Sequence, residues 1–375
     1  MRWPGADFTL SRRAFFPFFS GVCLAQTTGR GRTFPSSAVR YADPATEAVI
    51  LRLTDPQYTS LLPGEGNRTV TNRGLLYASD MSGSMQAFWM DLKSKESRQL
   101  SEAVALDFSS LSFSANEKNI RYFDGPQLLE AQFPNVKKTR EIYRLPDNST
   151  KLPGINYAAD DPSAVFVEQT RGMYRLRVLD LTRGTAATLL EGSQVITALR
   201  IRPGRSQLVY RQQGEKVACG VISFDGRERH DLAREDGDIL DAQWTADGAS
   251  LLYLLRPRAP GLTQLRQWNP DSKSGGDSLI AITSQFVRFT ANTDSSIFIG
   301  VSGSKASPYL LLLTRSGKRE LSLAELRTSM PSQAGPLLAP NSQFAVFPSD
   351  RHGKPAIYWI PLDKLVAETA EPAKS

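Results

Sequence analysis

Cysteine and histidine are almost missing from these 375 residues: Cys23, Cys219, His230 and His352 are all there are. If Cys23 belongs to a leader that is removed, as argued below, Cys219 stands alone. That excludes an internal disulfide and a cysteine-based metal site, and leaves Cys219 as a small buried apolar side chain. His230, in Arg227-Glu228-Arg229-His230-Asp231, is expected in a polar outer strand, and His352 in a hairpin turn, both as solvated surface residues. Also missing are a nucleophile elbow, a Ser-His-Asp arrangement, a phosphate-binding glycine loop and a C-x-x-C pair. No segment keeps a helical apolar period for three turns, the longest candidate being Leu321 to Arg327, so a helical solenoid is excluded. No block of Lys and Arg interleaves with aromatics, which argues against nucleic acid as a partner.

What is present is a texture of strands and turns. Hydrophobic residues make up 41% and charged residues 22%, the balance of a folded globular chain rather than a disordered one. Short apolar runs alternate with clusters of Gly, Asn, Asp, Ser and Pro. One unit recurs every 40 to 50 residues or so: a small-polar turn, a strand, a hairpin turn, a second strand, another turn and a polar strand. Its clearest copy is Asn72-Arg73-Gly74-Leu75-Leu76-Tyr77-Ala78-Ser79-Asp80, then Gln86 to Leu92, then Ser97 to Leu100. Further copies begin at Phe113, Asp160, Arg202, Trp244, Phe289 and Leu338, giving seven in all. A four-stranded unit of this kind cannot bury both faces alone, so the units must stack radially. The fold class predicted is an all-β, seven-bladed β-propeller spanning 43–365, with six and eight blades as the alternatives. The seventh copy lacks a fourth strand, and Glu47 to Leu53 is a strand without a blade. Pairing that strand with Ala356 to Ile360 would close the ring. Residues 26–42 and 366–375 are expected to be mobile extensions.

The first 25 residues have the marks of a leader. Ser11-Arg12-Arg13-Ala14-Phe15-Phe16 has the form of a twin-arginine signal, and the apolar stretch Phe15 to Ala25 behind it is too short to span a bilayer. Cleavage after Ala25 and a periplasmic or secreted location follow as expectations, with no transmembrane segment in the mature chain. The net charge of +7 then falls to about +5, because Arg2, Arg12, Arg13 and Asp7 leave. A modest basic excess favours anionic partners such as acidic glycans.

On these residues the chain resembles the propeller of the Tol system and, more closely, the oligogalacturonate lyases. The resemblance runs from about Asp43 to Leu362 and is best over Thr71 to Glu102, Ile201 to Leu232, Trp244 to Asp271 and Leu338 to Leu362. Ser349-Asp350-Arg351-His352-Gly353-Lys354-Pro355-Ala356-Ile357-Tyr358 is especially similar to that family's last blade. The family cleaves short pectin chains by β-elimination, with a histidine base and a divalent cation, usually manganese, held by histidines and a glutamine. The resemblance implies that the base position is Gln212 and that one metal-histidine position is Asp241. It also implies that the His-x-His pair falls on Gln333 and Gly335, with the glutamine near Met330. Gln cannot serve as a base at neutral pH and Gly offers no ligand atom; only Asp241 and Gln333 could hold a cation such as Mn²⁺ or Ca²⁺ through oxygen.

The expectation is therefore a site with no catalytic residue and no cofactor. It would be a non-catalytic propeller binding an acidic oligosaccharide or an extracytoplasmic protein at the channel mouth, through Arg171, Gln212, Asp241, Gln333, Gly335 and Arg351. The alternative is a metal-dependent oligogalacturonate lyase with a rebuilt site, for which Lys354 is a base only if desolvated. Paired carboxylates for glycoside hydrolysis could be drawn from Asp80, Asp107, Asp124, Asp241 and Asp350, though Asp is common at such strand ends and turns for backbone reasons. A sensor or assembly protein of the Tol type is a third reading.

Overall fold

The computed structural model describes residues 29–64, 66–213, 218–232, 237–272, 276–283, 285–304, 308–329 and 335–362. The chain forms seven antiparallel sheets, one per repeat, and no helix occurs among the described residues. Blades 2 to 6 each use four consecutive strands running from the inner edge outward: 106–144, 149–192, 195–231, 237–283 and 286–325. Blade 1 has its inner strand at Ser60–Leu61 and blade 7 at Leu337–Leu338. The turn between the second and third strands of each blade lies on the same face as the connection into the next inner strand. We call this the upper face. The turns between inner and second strands lie on the lower face.

Period-two alternation in the second strands builds the ring. In Gly74–Ser79, Leu75 and Tyr77 pack against Leu337, Val346 and Ile357 of blade 7. Leu76 and Ala78 pack against Leu111, Phe113 and Tyr122 of blade 2. In Leu251–Pro257, Leu251, Tyr253 and Leu255 face Val209 and Val221 of blade 4, while Leu252 and Leu254 face Phe286 and Phe298 of blade 6. Every neighbouring pair of blades encloses its own cluster, seven clusters in all. A strand sandwiched this way must be apolar on both faces, which is why these runs are nearly continuous. Cys219 lies in the cluster between blades 4 and 5, and burial pushes its thiol up to about 12, so it is an inert apolar filler.

The ring closes as expected. Val49–Arg52 pairs antiparallel with Ala356–Pro361, Leu51 opposite Trp359 and Arg52 opposite Tyr358. The segment expected to be a mobile extension is instead a belt from Arg30 onward. Thr33–Phe34 adds a fifth strand to blade 1 beside Ser97–Gln99, and Val39–Ala42 adds a fifth to blade 7 beside Val49–Arg52. Phe34 packs edge-on against Phe88, and Arg30 bonds Thr139 on the outer strand of blade 2. At the other end Thr46 donates to the Leu323 carbonyl of blade 6. The belt thus covers sheet edges on both sides of the seam. Residues 1–28, with the leader, and 363–375, with the C-terminal tail, lie outside the described residues.

Candidate functional site at the channel mouth

The inner strands of blades 2 to 6 each carry a register shift: between Asp107 and Ser112, Lys151 and Ile155, Thr197 and Arg200, Ile239 and Asp241, and Phe286 and Arg288. A bulge re-aims the side chains beside it, and these shifts lie on the strands that line the channel. At the upper end of the channel is a cavity of about 390 Å³, walled by blades 1, 2, 6 and 7. Its lining includes Ser109, Arg288, Gly335, Ser349 and Asp350, with Leu61, Leu62, Pro63 and Gly64 on the blade 1 side.

The polar groups here are held by the fold. Ser109 Oγ donates to Asp107 Oδ1 at 2.5 Å and accepts from the Gly154 amide at 2.7 Å. Ser349 Oγ reaches the carbonyls of Leu326 and Arg327 at 2.6 and 2.9 Å. Asp350 accepts from the Ser329 amide at 3.1 Å. Arg288 brings a guanidinium to the cavity wall, its Nη1 3.9 Å from Asp241 Oδ1. Arg211 lies behind them and donates to the Leu240 carbonyl at 2.6 Å. Burial pulls its guanidinium below the ordinary value, opposed by Asp241 and reinforced by Arg288.

A second, shallower cavity of about 300 Å³ opens between blades 2 and 3, lined by Asp107, Ser149, Thr150 and Lys151 among others. Lys151 Nζ sits 2.5 Å from Asp107 Oδ2, and its side chain is 5% exposed. It also donates to the carbonyls of Leu152 and Gly154 at 2.6 and 3.2 Å. Desolvation lowers the ammonium's pKa, with the Asp107 carboxylate opposing. All three donors of Lys151 are used within the protein.

The structure separates the residues that the sequence grouped. Gly335 lines the mouth cavity. Arg171 is exposed in the upper turn of blade 3, at a φ of 51°. Gln212 is half-buried on the second strand of blade 4, its amide nitrogen 3.8 Å from where a Cβ on Gly192 would stand, so it faces the outer strand of blade 3 and not the cavity. Asp241 is 2% exposed, and its oxygens accept from the amides of Ala242 and Phe289 at 3.0 and 3.2 Å. Its carboxylate pins the inner strand of blade 6 to that of blade 5, so its assignment to a ligand-binding rim is corrected. Gln333 and Met330 lie outside the described residues.

Arg351 requires the same correction. Its side chain is 4% exposed and donates to Tyr41 OH at 2.8 Å, to Asp43 Oδ2 at 3.0 Å and to the Glu325 carbonyl. It joins the belt to blades 6 and 7, with both terminal nitrogens bonded inside the protein. His352 is exposed as expected, but its Nδ1 pairs with Tyr358 OH at 2.8 Å and its ring stacks on Tyr358. Lys354 is 3.8 Å from Asp80 and more than half exposed, which is not the desolvated setting a lysine base needs.

Sequence reasoning missed Arg211, Arg288 and the Lys151–Asp107 pair. Arg288 directly precedes the Phe289-Thr290-Ala291-Asn292 turn that marked its repeat, so its inner-strand position was readable. Its direction was not, because a bulge decides it. Of the positions implied for a divalent cation, the two that are described, Asp241 and Gly335, do not fit it. Gly335 has no side-chain donor atom and Asp241 is engaged by backbone amides. No group of three His, Cys, Asp or Glu among the described residues is arranged to hold a metal.

No family model matches the chain. It is 22% identical over 385 aligned residues to the oligogalacturonide lyase of Pectobacterium atrosepticum, covering 88% of this chain and 97% of that protein. It is 21% identical to the oligogalacturonate lyase of Dickeya dadantii, with the same coverage. Among solved structures, an oligogalacturonate lyase in complex with manganese superposes with a TM-score of 0.83 at 19% identity, over 90% of this chain and 99% of that one. An oligogalacturonate lyase from Vibrio parahaemolyticus superposes at 0.81 and 18% identity, over 89% and 98%.

Proposed function

Starting from a chain that is a seven-bladed propeller similar along almost its whole length to oligogalacturonate lyases, we propose that it binds an anionic saccharide at the channel mouth without cleaving it. The observation that carries this reading is a walled cavity retaining a guanidinium, Arg288, and ordered hydroxyls, Ser109 and Ser349. The positions implied for base and metal, meanwhile, are Gln212, Asp241 and Gly335, with Gln333 and Met330 outside the described residues. A guanidinium recognises a carboxylate by charge-assisted hydrogen bonds, and the bulged inner strands and their neighbours fix the surrounding polar groups. β-Elimination needs in addition a base at the carbon beside the uronate carboxylate, which Gln212 cannot supply. The twin-arginine leader, read from Ser11 to Phe16, adds the proposal that this binding takes place outside the cytoplasm.

Calorimetric titration of the mature chain with trigalacturonate tests the binding. Saturable binding is expected, weakened by about 10- to 100-fold in Arg288→Gln, the worth of a charge-assisted hydrogen bond. Equal affinity for a neutral galactose trimer, or no binding at all, would overturn the reading.

The full-length similarity to lyases supports a second reading, a lyase with a rebuilt site. The group that favours it is Lys151, an ammonium whose pKa is lowered by burial beside a cavity on the upper face. Under that reading Lys151→Met abolishes formation of unsaturated product while the fold persists.

A further inference from the structure

The inner strand of blade 1 is interrupted. Ser60–Leu61 pairs with Ser79 and Ala78, and the pairing resumes where the Thr69 carbonyl accepts from the Leu76 amide and Val70 bridges Leu75. Residues 62–64 and 66–68 between these points leave the sheet and enter the channel. The partners of this insertion lie on blades 2 and 3, the second of them not a neighbour of blade 1. Asn67 Nδ2 donates to the Ser109 carbonyl and the Arg68 amide to Ser112 Oγ, both on the inner strand of blade 2. Asn156 Nδ2, on blade 3, donates to the Gly66 carbonyl at 2.9 Å, while Asn156 Oδ1 accepts from the Ile201 amide of blade 4 at 2.7 Å. The Arg68 guanidinium reaches the carbonyls of Ala158 and Ala159 and pairs with Asp161 on the lower face of blade 3.

Gly66 shows how tightly the insertion fits. Its φ is +84°, and a Cβ there would stand 2.8 Å from Asn156 Nδ2 and 2.9 Å from Arg200 Cδ, on blade 4. A segment that starts on blade 1 and meets blade 4 has crossed the channel. Leu62, Pro63 and Gly64, at its upper end, line the mouth cavity.

We propose that residues 62–64 and 66–68 form a fixed plug that makes the mouth a blind pocket, so that it takes the end of a saccharide chain and never the middle of one. The inference rests on the binding proposed above. Leu62 and Pro63 then give the terminal ring an apolar stop, Arg288 meets its carboxylate, and the rest of the chain leaves by the upper face. A propeller with an open channel could thread a polymer; this one cannot without breaking the hydrogen bonds to blades 2 and 3.

Competition binding of the mature chain with trigalacturonate and with long polygalacturonate decides the point. The expected result is equal apparent affinity when both ligands are counted as chains. The polymer should therefore be weaker by its length ratio when both are counted as uronate residues. Equal affinity per residue would overturn the plug and leave the binding intact, whereas no binding of either ligand would overturn both. Leu62→Trp, filling the pocket from its floor, should weaken ligands of every length by about 10-fold or more, equivalent to 1.4 kcal/mol. Unchanged affinity in a folded Leu62→Trp protein would place the ligand elsewhere and equally overturn the proposal.

Discussion

Arg351 stands in the upper turn of blade 7, where a sequence reading sees a rim cation. The structure buries it against Asp43 and Tyr41, which lie more than 300 positions earlier in the chain. No local pattern could show this, because the residue's role depends on where the belt returns. Asp241 was misread for the same reason: a carboxylate at the mouth of a channel is a ligand candidate until the Phe289 amide of the next blade is found bonded to it. The Asp43–Arg351 pair is almost fully buried, with exposures of 0% and 4%. Removing one partner leaves the other charged and unsolvated, so Arg351→Met should cost about 3–5 kcal/mol in denaturant unfolding. Asp43→Leu with Arg351→Leu should recover most of that loss, and a double variant as unstable as the single one would refute the pairing. Burial alone would raise the Asp43 carboxyl. The hydrogen bonds from Arg351 and from the amides of Ala45 and Glu325 outweigh it and hold the group below its ordinary value. A carboxyl depressed on folding stabilises fully above its unfolded pKa of about 3.9 and loses that contribution as pH falls through the folded value. The acid limb of the stability curve should therefore be shallower in Asp43→Asn, measured by thermal unfolding between neutral pH and the acid transition.

At the level of whole elements the sequence was most and least informative. Second strands such as Gly74–Ser79 and Leu251–Pro257 were legible because burial on both faces forces continuous apolar runs. The lower-face turns were legible because their Asn, Asp, Gly and Pro are needed for backbone reasons. The closing strand stood out as an unpaired apolar run at one end matched by a missing strand at the other. The belt had no such signal: Thr33–Phe34 is a two-residue strand, and its partner is a bare edge. The plug was visible only as surplus length between Leu53 and Asn72. If the belt protects two edges, deletion through Ala42 should lower the melting temperature more than deletion through Ser36, since it uncovers Val49–Arg52 as well as Ser97–Gln99. Equal melting temperatures for the two truncations, followed by calorimetry, would mean that Val39–Ala42 contributes nothing to closure.

For the whole molecule, the seven-blade ring explains why so much could be read without the site being readable. Its repeats place the proposed mouth cavity among blades 1, 2, 6 and 7, with bulged inner strands in blades 2 and 6. They leave the chemistry there to single residues that repetition does not constrain. The resemblance to oligogalacturonate lyases directs attention to the upper face, and this chain's own side chains there are the ground of the proposal. A cavity with Arg288, Ser109 and Ser349, beside Gln212 and Asp241 turned to other contacts, is the ground on which recognition without turnover is proposed. The most direct test is to incubate the mature chain, folded by circular dichroism and shown to bind trigalacturonate, with that substrate and Mn²⁺ and to follow ultraviolet absorbance. A flat trace at saturating substrate is the predicted result. A manganese-dependent rise in unsaturated uronate would contradict the account and make this propeller a lyase with a base of its own.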